Sequence, residues 1–161
     1  MRRPQQLLLR FAEEDTNVYF FEDPIFDAVE EAFLSFGMRS ETLWKVVPHL
    51  KPGLTSAEIT FCLAELLAGF LKYAKLDNWI FWYYACSALS FSKNYLPKVV
   101  IYDCIEESAV SAIANKEAEI LEKELVKRSD LIFKTISFNR PVRINWDSVY
   151  QHIVHQINCI V

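Results

Sequence analysis

Two histidines and a cysteine near the C-terminus are the residues whose types could bind a metal ion. His152, His155 and Cys159 are separated by three and four positions, so they share one face if the segment is helical. Imidazole and thiolate suit zinc, but a structural zinc site has four ligands, and the only other histidine is His49. We therefore expect an amphipathic helix with a polar histidine face, and no metal or other cofactor.

A second set of polar residues, Asp103, Glu106 and Glu107, would also share a helix face. Carboxylate metal sites in helical bundles usually add a Glu-x-x-His pair on a partner helix, and no such pair occurs in the chain. A solvated helix face is the simpler interpretation. Nucleophilic catalysis needs a serine or cysteine beside a histidine and an acid, and no Gly-x-Ser-x-Gly motif brings these types together.

Glycine is scarce, with three in 161 residues, where an average chain of this length has about 11. Gly37, Gly53 and Gly69 are isolated from one another, so no glycine-rich loop can wrap its amides around a phosphate. With no catalytic motif in its place, we expect a protein that is not an enzyme.

The overall charge argues against general nucleic-acid binding. The net charge is −4 and the calculated pI is about 5.4, whereas binding to phosphates requires a basic face. A composite basic face is the alternative, and it would use the following residues: Arg2, Arg3, Arg10, Lys127, Arg128, Lys134, Arg140 and Arg143.

Hydropathy and cysteine spacing predict an intracellular protein, cytoplasmic or nuclear. The apolar run Leu7–Leu9 is too short for a signal-peptide core. The longest uncharged run covers 15 residues, from Asn78 to Ser92, and a membrane-spanning helix needs about 20. The four cysteines lie far apart, which favours reduced, buried thiols.

Capping signals predict helices throughout the chain. Asp23-Pro24 is typical of a helix start, and Thr55 with Glu58 forms a capping box that begins a helix from Ser56 to about Ala74. Further expected helices are a short one from Ser40 to about Val47, one over 79–89 that is apolar on every side, a long one over 99–128 and a terminal one over 147–160.

These elements predict a mainly α fold, a compact helical bundle of five to seven helices in one domain over residues 1–161. The only plausible seam is near residue 129, with 130–161 as a C-terminal extension packed on the bundle. Residues 131–138 fit either a strand or a helix. Residues 142–146 alternate like a strand and could pair with 18–21 in a small two-stranded β element.

Acidic and aromatic residues suggest a role in protein interaction, as an adaptor or a small subunit of an assembly, or in self-association. No lysine or arginine lies between Arg10 and Arg39, where eight acids alternate with aromatic residues. Acids steer encounters and aromatics supply affinity. The predicted contact residues are Phe20, Phe21, Phe26, Glu30, Trp79 and Trp82. The alternatives are an ordinary aromatic core with a solvated acidic face, a nucleic-acid-associated protein, and a helical-bundle metal protein or enzyme.

Overall fold

The computed structural model describes residues 16–104, 116–134 and 158–160. The described strands are β1 (Val18–Phe21), β2 (Phe33–Met38), β3 (Leu43–His49), β4 (Trp79–Tyr83), β5 (Val99–Cys104), β6 (Leu131–Lys134) and β7 (Asn158–Ile160). The described α-helices are α1 (Ser56–Leu71), α2 (Leu89–Ser92) and α3 (Lys116–Arg128), with 3₁₀ turns at Leu76–Asn78 and Cys86–Ala88.

The described strands form one sheet with the order β2-β3-β1-β7-β4-β5-β6. Strand β2 is antiparallel to β3, and every other described pairing is parallel. A parallel pair needs a crossover connection, usually through a helix, and α1, α2 and α3 lie in the connections β3–β4, β4–β5 and β5–β6. The protein therefore has a mixed α/β fold.

The three helices pack on one face of the sheet. Leu67 and Leu71 of α1, Leu89 of α2 and Leu125 of α3 belong to one buried cluster, together with aromatic residues of β4 and β5. Phe70 of α1 reaches farthest along the sheet, and its ring contacts the rings of Tyr19, Phe21, Phe36 and Trp79. Successive crossovers on one face are expected when all connections have the same handedness.

Helix α1 confirms the clearest local signal in the sequence. The Thr55 hydroxyl accepts a hydrogen bond from the Glu58 N–H at 3.4 Å, and the Glu58 carboxylate accepts one from the Thr55 N–H at 2.8 Å. The bonds that the Thr55 N–H and the Thr55 hydroxyl donate to the Glu58 carboxylate lower the pKa of Glu58 below its ordinary value, because they favour the charged form. The helix ends at Leu71, three residues before the expected end.

The prediction of a compact bundle of five to seven helices is wrong. The most apolar segment, Trp79–Tyr83, is a strand whose residues are all buried. A parallel strand covered on both faces is apolar at every position, so the absence of a polar side did not identify a helix. Its aromatic and β-branched residues pack well on a pleated surface.

Two expected N-terminal helices are also absent. Asp23-Pro24 begins an extended segment rather than a helix, and the apolar residues that follow continue into strand β2. Ser40 does accept a hydrogen bond from the Leu43 N–H at 3.1 Å, but it stabilises the β2–β3 turn. A serine that satisfies a nearby amide serves a turn as readily as a helix start.

The long helix expected over 99–128 is wrong at its start and confirmed at its end, while 105–115 lies outside the described residues. Residues Val99–Cys104 form β5, and Lys116–Arg128 form α3. The ambiguous segment 131–138 contains strand β6 in its described part. Strand β1 pairs with β3 and β7, while 142–146 lies outside the described residues. The expected terminal helix over 147–160 is wrong at its end, where Asn158–Ile160 forms β7.

Within the described ranges, no helix has the length and apolar character needed to cross a membrane.

The packing of α3 gives a first test of the fold. Leu125 is fully buried, whereas Ile120 on the same helix is exposed. We expect Leu125→Ala to lower the free energy of unfolding by about 2–5 kcal/mol and Ile120→Ala to lower it by less than about 1 kcal/mol. Urea denaturation followed by circular dichroism measures both values, and equal losses would contradict the observed orientation of α3.

Candidate functional site

The segment after β1 brings chemically active side chains to the end of β3. The Ile25 N–H donates to the Pro48 carbonyl at 2.9 Å, and the Leu50 N–H donates to the Ile25 carbonyl at 2.8 Å. The Ala28 N–H then donates to the Leu50 carbonyl at 3.0 Å. The segment therefore runs beside the carboxyl end of β3.

Asp27, His49 and Ser35 form a hydrogen-bonded chain at this position. The Asp27 Oδ1 lies 2.6 Å from the His49 Nδ1, and the His49 Nε2 lies 2.8 Å from the Ser35 Oγ. An ionised carboxylate only accepts hydrogen bonds, so the tautomer that fits this geometry has its hydrogen on Nδ1. Nε2 is then left to accept a hydrogen bond from the Ser35 hydroxyl.

Strand pairing and ring packing hold the imidazole in place. Phe33 and His49 are opposite each other in the β2–β3 pair, and their rings stack with centroids 4.4 Å apart. Ser35 lies two residues farther along β2, on the same face as Phe33. The side chain of His49 is 14% exposed and that of Asp27 is 54% exposed. The imidazole is therefore mostly buried, whereas the carboxylate is in contact with solvent.

An ion pair lies on the same side of the sheet. Lys45 Nζ is 2.8 Å from the Glu22 carboxylate, and Glu22 directly follows β1. Asp23, Glu30 and Glu31 are exposed acids of the same segment. This corner of the molecule is therefore acidic, and Lys45 compensates one of its charges.

The order of the strands defines a switch point beside this corner. From β1 the chain passes to β2 and β3 on one side, and from β4 it passes to β5 and β6 on the other. Connections that leave in opposite directions open a crevice at the carboxyl ends of the strands, where open α/β sheets bind their ligands. Among the described residues, Glu22 and Asp23 follow β1 here, and Tyr84 and Ala85 follow β4.

The predicted contact residues are dispersed. Phe20 and Phe21 are half-buried in β1, whereas Phe26 and Glu30 are exposed in the following segment. Trp79 and Trp82 lie in β4 and are only 7% and 2% exposed. The aromatic residues of β4 therefore fill the two faces of the sheet, and only the N-terminal contact residues are accessible.

The described residues contain only part of the candidate metal ligands. His152 and His155 lie outside the described residues, and Cys159 belongs to strand β7. No group of three or more potential metal ligands occurs within the described ranges. Asp103 is buried in β5 and is not part of a solvated helix face, while Glu106 and Glu107 lie outside the described residues.

Little of the alternative basic face lies in the described part of the chain. Arg128 of α3 forms an ion pair with Glu124 at 3.0 Å, and Lys127 is exposed on the same helix. Lys134 ends strand β6. The other five basic residues lie outside the described ranges.

Polar groups on the helix-covered face serve packing. The Tyr83 hydroxyl lies 2.8 Å from the Ser92 hydroxyl, and burial raises the pKa of Tyr83. Burial also raises the pKa of the Cys86 thiol, which disfavours the reactive thiolate. Cys62, Cys86 and Cys104 are free thiols and half-buried.

A shallow cavity of about 440 Å³ opens near the amino end of β4, between Tyr19, Phe70, Lys75, Asn78 and Trp79. Three of these rings already contact one another: Tyr19 with Phe70 at 5.0 Å, Tyr19 with Trp79 at 5.8 Å, and Phe70 with Trp79 at 5.9 Å. The cavity therefore lies at the edge of the hydrophobic core. The carboxyl edge holds the more complete set of polar groups.

The sequence carried no signal that would have selected Asp27, Ser35 and His49. Asp27 and His49 are 22 positions apart, and Ser35 is 14 positions from His49. Their proximity depends on the β2–β3 register and on the path of the segment after β1. Neither is apparent while the residues that follow Asp23-Pro24 are assigned to a helix.

A scan of protein-family models and searches of curated proteins and of solved structures found no match to this chain. The function is therefore inferred from the fold and from the groups at the carboxyl edge.

Replacing His49 tests whether its side-chain hydrogen bonds to Asp27 and Ser35 hold the segment after β1 against the end of β3. His49→Phe keeps a ring against Phe33 but removes both side-chain hydrogen bonds, and each is worth about 1 kcal/mol. We expect the free energy of unfolding to fall by about 1–2 kcal/mol and the Ala28 amide to exchange faster with deuterium. Exchange measured by NMR at neutral pH would contradict this if Ala28 kept its protection.

Proposed function

We propose that this chain is a ligand-binding α/β domain whose ligand lies at the carboxyl edge of the sheet, between β1 and β4. The observation that carries the proposal is the reversal of strand order at β1-β7-β4, in a sheet whose described strands other than β2 are parallel. Crevices at such switch points are common binding sites because the loops on either side diverge.

The charges at this edge indicate the chemistry of the ligand. Glu22 and Asp23 follow β1, Asp27 and His49 lie beside them, and Lys45 is already paired with Glu22. Carboxylates accept hydrogen bonds and repel anions. Isolated glycines provide no phosphate-binding loop. We therefore propose a small ligand that presents hydrogen-bond donors, hydroxyl or amino groups, to these acids.

The proposal is tested by titrating ¹⁵N-labelled protein with a fragment set of polyols and amino alcohols, and with inorganic phosphate for comparison. We expect donor-bearing fragments to shift the amides of Glu22 to Asp27, and phosphate to leave them unchanged. Asp23→Asn should weaken fragment binding about tenfold, because hydrogen bonds to charged groups are worth about 1.5–3 kcal/mol.

Glu41→Gln is the matched control, because Glu41 is an exposed acid in the β2–β3 turn at the opposite edge of the sheet. It should bind the fragments as tightly as the unmodified protein does. Shifts centred on Glu41 and Asp130, or no shifts with any fragment, would refute a site at the carboxyl edge.

A second candidate function is protein interaction, as an adaptor or a small subunit of an assembly. The observation that favours it is a group of exposed apolar side chains around the outer edge of β2, with Phe33 on one face of the strand and Phe36 and Met38 on the other. We call this group the β2 surface, and its members are Ile25, Phe26, Val29, Phe33, Phe36 and Met38. Val29 is the most exposed of these residues, at 90%. Large apolar patches on a protein surface are typical of interaction sites.

The acids around the β2 surface favour a basic partner. Glu22, Asp23, Asp27, Glu30 and Glu31 are all exposed. In the described part of the sheet, β2 pairs only with β3, so its outer edge can accept an extended strand. We propose that the occupant is an extended segment rich in lysine and arginine, with apolar residues at alternate positions.

The interaction is tested with a fluorescent ten-residue peptide that alternates lysine with valine, by fluorescence anisotropy. We expect Phe26→Ala to weaken binding about tenfold, since aromatic residues carry much of the energy of an interface. Phe61→Ala is the control, because Phe61 is an exposed aromatic on α1 outside the β2 surface. Equal losses in both variants, or binding unaffected by salt, would count against the β2 surface.

We propose an intracellular location, in the cytoplasm or nucleus, which the free thiols of Cys62, Cys86 and Cys104 support. The expectation that the chain is not an enzyme is untested, and the inference in the next subsection proposes the opposite.

A further inference from the structure

We propose that Ser35 is a nucleophile for acyl transfer, activated by His49 as general base, with Asp27 as the residue that positions His49. The inference goes beyond ligand binding and does not depend on the identity of that ligand. Its basis is that three residues distant in sequence form a serine–imidazole–carboxylate chain with distances of 2.8 Å and 2.6 Å.

The two nitrogens of His49 have the roles that this chemistry requires. In serine hydrolases one ring nitrogen donates to a carboxylate, and the other accepts the hydroxyl hydrogen of the nucleophile. Here Nδ1 lies against Asp27 and Nε2 against Ser35. The Phe33 ring stacks on the imidazole and limits its rotation. A catalytic triad is identified by its geometry and not by the order of its residues in the sequence.

The edge position of β2 supplies a donor for the developing oxyanion. Val46 and Pro48 accept hydrogen bonds from the side of β1, so Val47 and His49 direct their backbone groups toward β2, because alternate residues of a strand bond to opposite sides. Ser35 pairs with Val47. The N–H of Phe36, the next residue, therefore points to the outer edge of β2, next to the nucleophile.

The reaction proceeds in two balanced steps for a carboxylic ester and water. The Ser35 Oγ attacks the carbonyl carbon while His49 Nε2 takes its proton, and the ester C–O bond breaks as His49 returns that proton to the departing alkoxide. Water then attacks the acyl-serine, His49 takes a proton from it, and the proton returns to Ser35 as the carboxylic acid leaves.

The surroundings restrict the substrate to neutral or cationic esters with an apolar acyl group. Phe26 and Phe33 are large, partly exposed apolar side chains near the hydrogen-bonded group of Asp27, His49 and Ser35. The exposed acids of the segment after β1 repel anionic substrates. Asp27 is solvated on its outer side, so the site is open.

A fluorophosphonate probe tests the nucleophile directly in the full chain. The probe forms a covalent bond only with an activated serine, and peptide mass spectrometry locates the bond. We expect modification at Ser35, and we expect His49→Gln to slow both labelling and p-nitrophenyl acetate hydrolysis by about 100-fold or more. Unlabelled protein, or labelling spread equally over other serines, would refute the proposal without affecting the fragment-binding test.

Two further variants separate chemistry from folding. Ser87→Ala changes an exposed serine elsewhere and should leave hydrolysis unchanged. Asp27→Asn should lower kcat and leave KM unchanged, and Asp27→Glu should recover part of the loss, because Asp27 acts through the orientation of His49. A change in KM alone would show that Asp27 has only a structural role.

Discussion

The structure depends on one constraint: the aromatic strand β4 must be covered on both faces. Trp79, Phe81 and Tyr83 face the helices and join the cluster that contains Leu67, Leu89 and Leu125. Ile80 and Trp82 lie on the opposite face and are also buried. A strand with apolar side chains on both sides is typical of a parallel sheet, whose two faces are covered, and the crossover connections that such a sheet requires determine where the helices lie.

The same constraint relates the fold to its candidate site. Because the crossovers from β4 lead to β5 and β6, while the chain from β1 leads to β3, the loops diverge at the carboxyl edge. The hairpin β2–β3 replaces a helical crossover on the β1 side and leaves β2 at the end of the described sheet. That position explains both the exposed apolar residues of β2 and the access to Ser35 and His49.

The two candidate functions and the proposed nucleophile use overlapping features of one corner of the molecule. Ligand binding depends on the groups that follow β1, and partner binding depends on the outer edge and exposed side chains of β2. Acyl transfer depends on the hydrogen bonds among Asp27, His49 and Ser35. The acidic character of residues 22–31 influences all three, because it favours donor-bearing or cationic groups.

The sequence by itself determined the features that arise within a few residues. The Thr55–Glu58 capping box identified the start of α1 because both partners lie in one helical turn, and the isolated glycines predict a chain without a glycine-rich phosphate-binding loop. Only the tertiary structure decided whether apolar runs such as Trp79–Tyr83 and Val99–Cys104 were helices or strands. A short buried run has the same composition in either state, and strand pairing depends on distant residues. The meeting of Asp27, Ser35 and His49 was decided at the same level, since it follows from the register between β2 and β3 and from the path after β1.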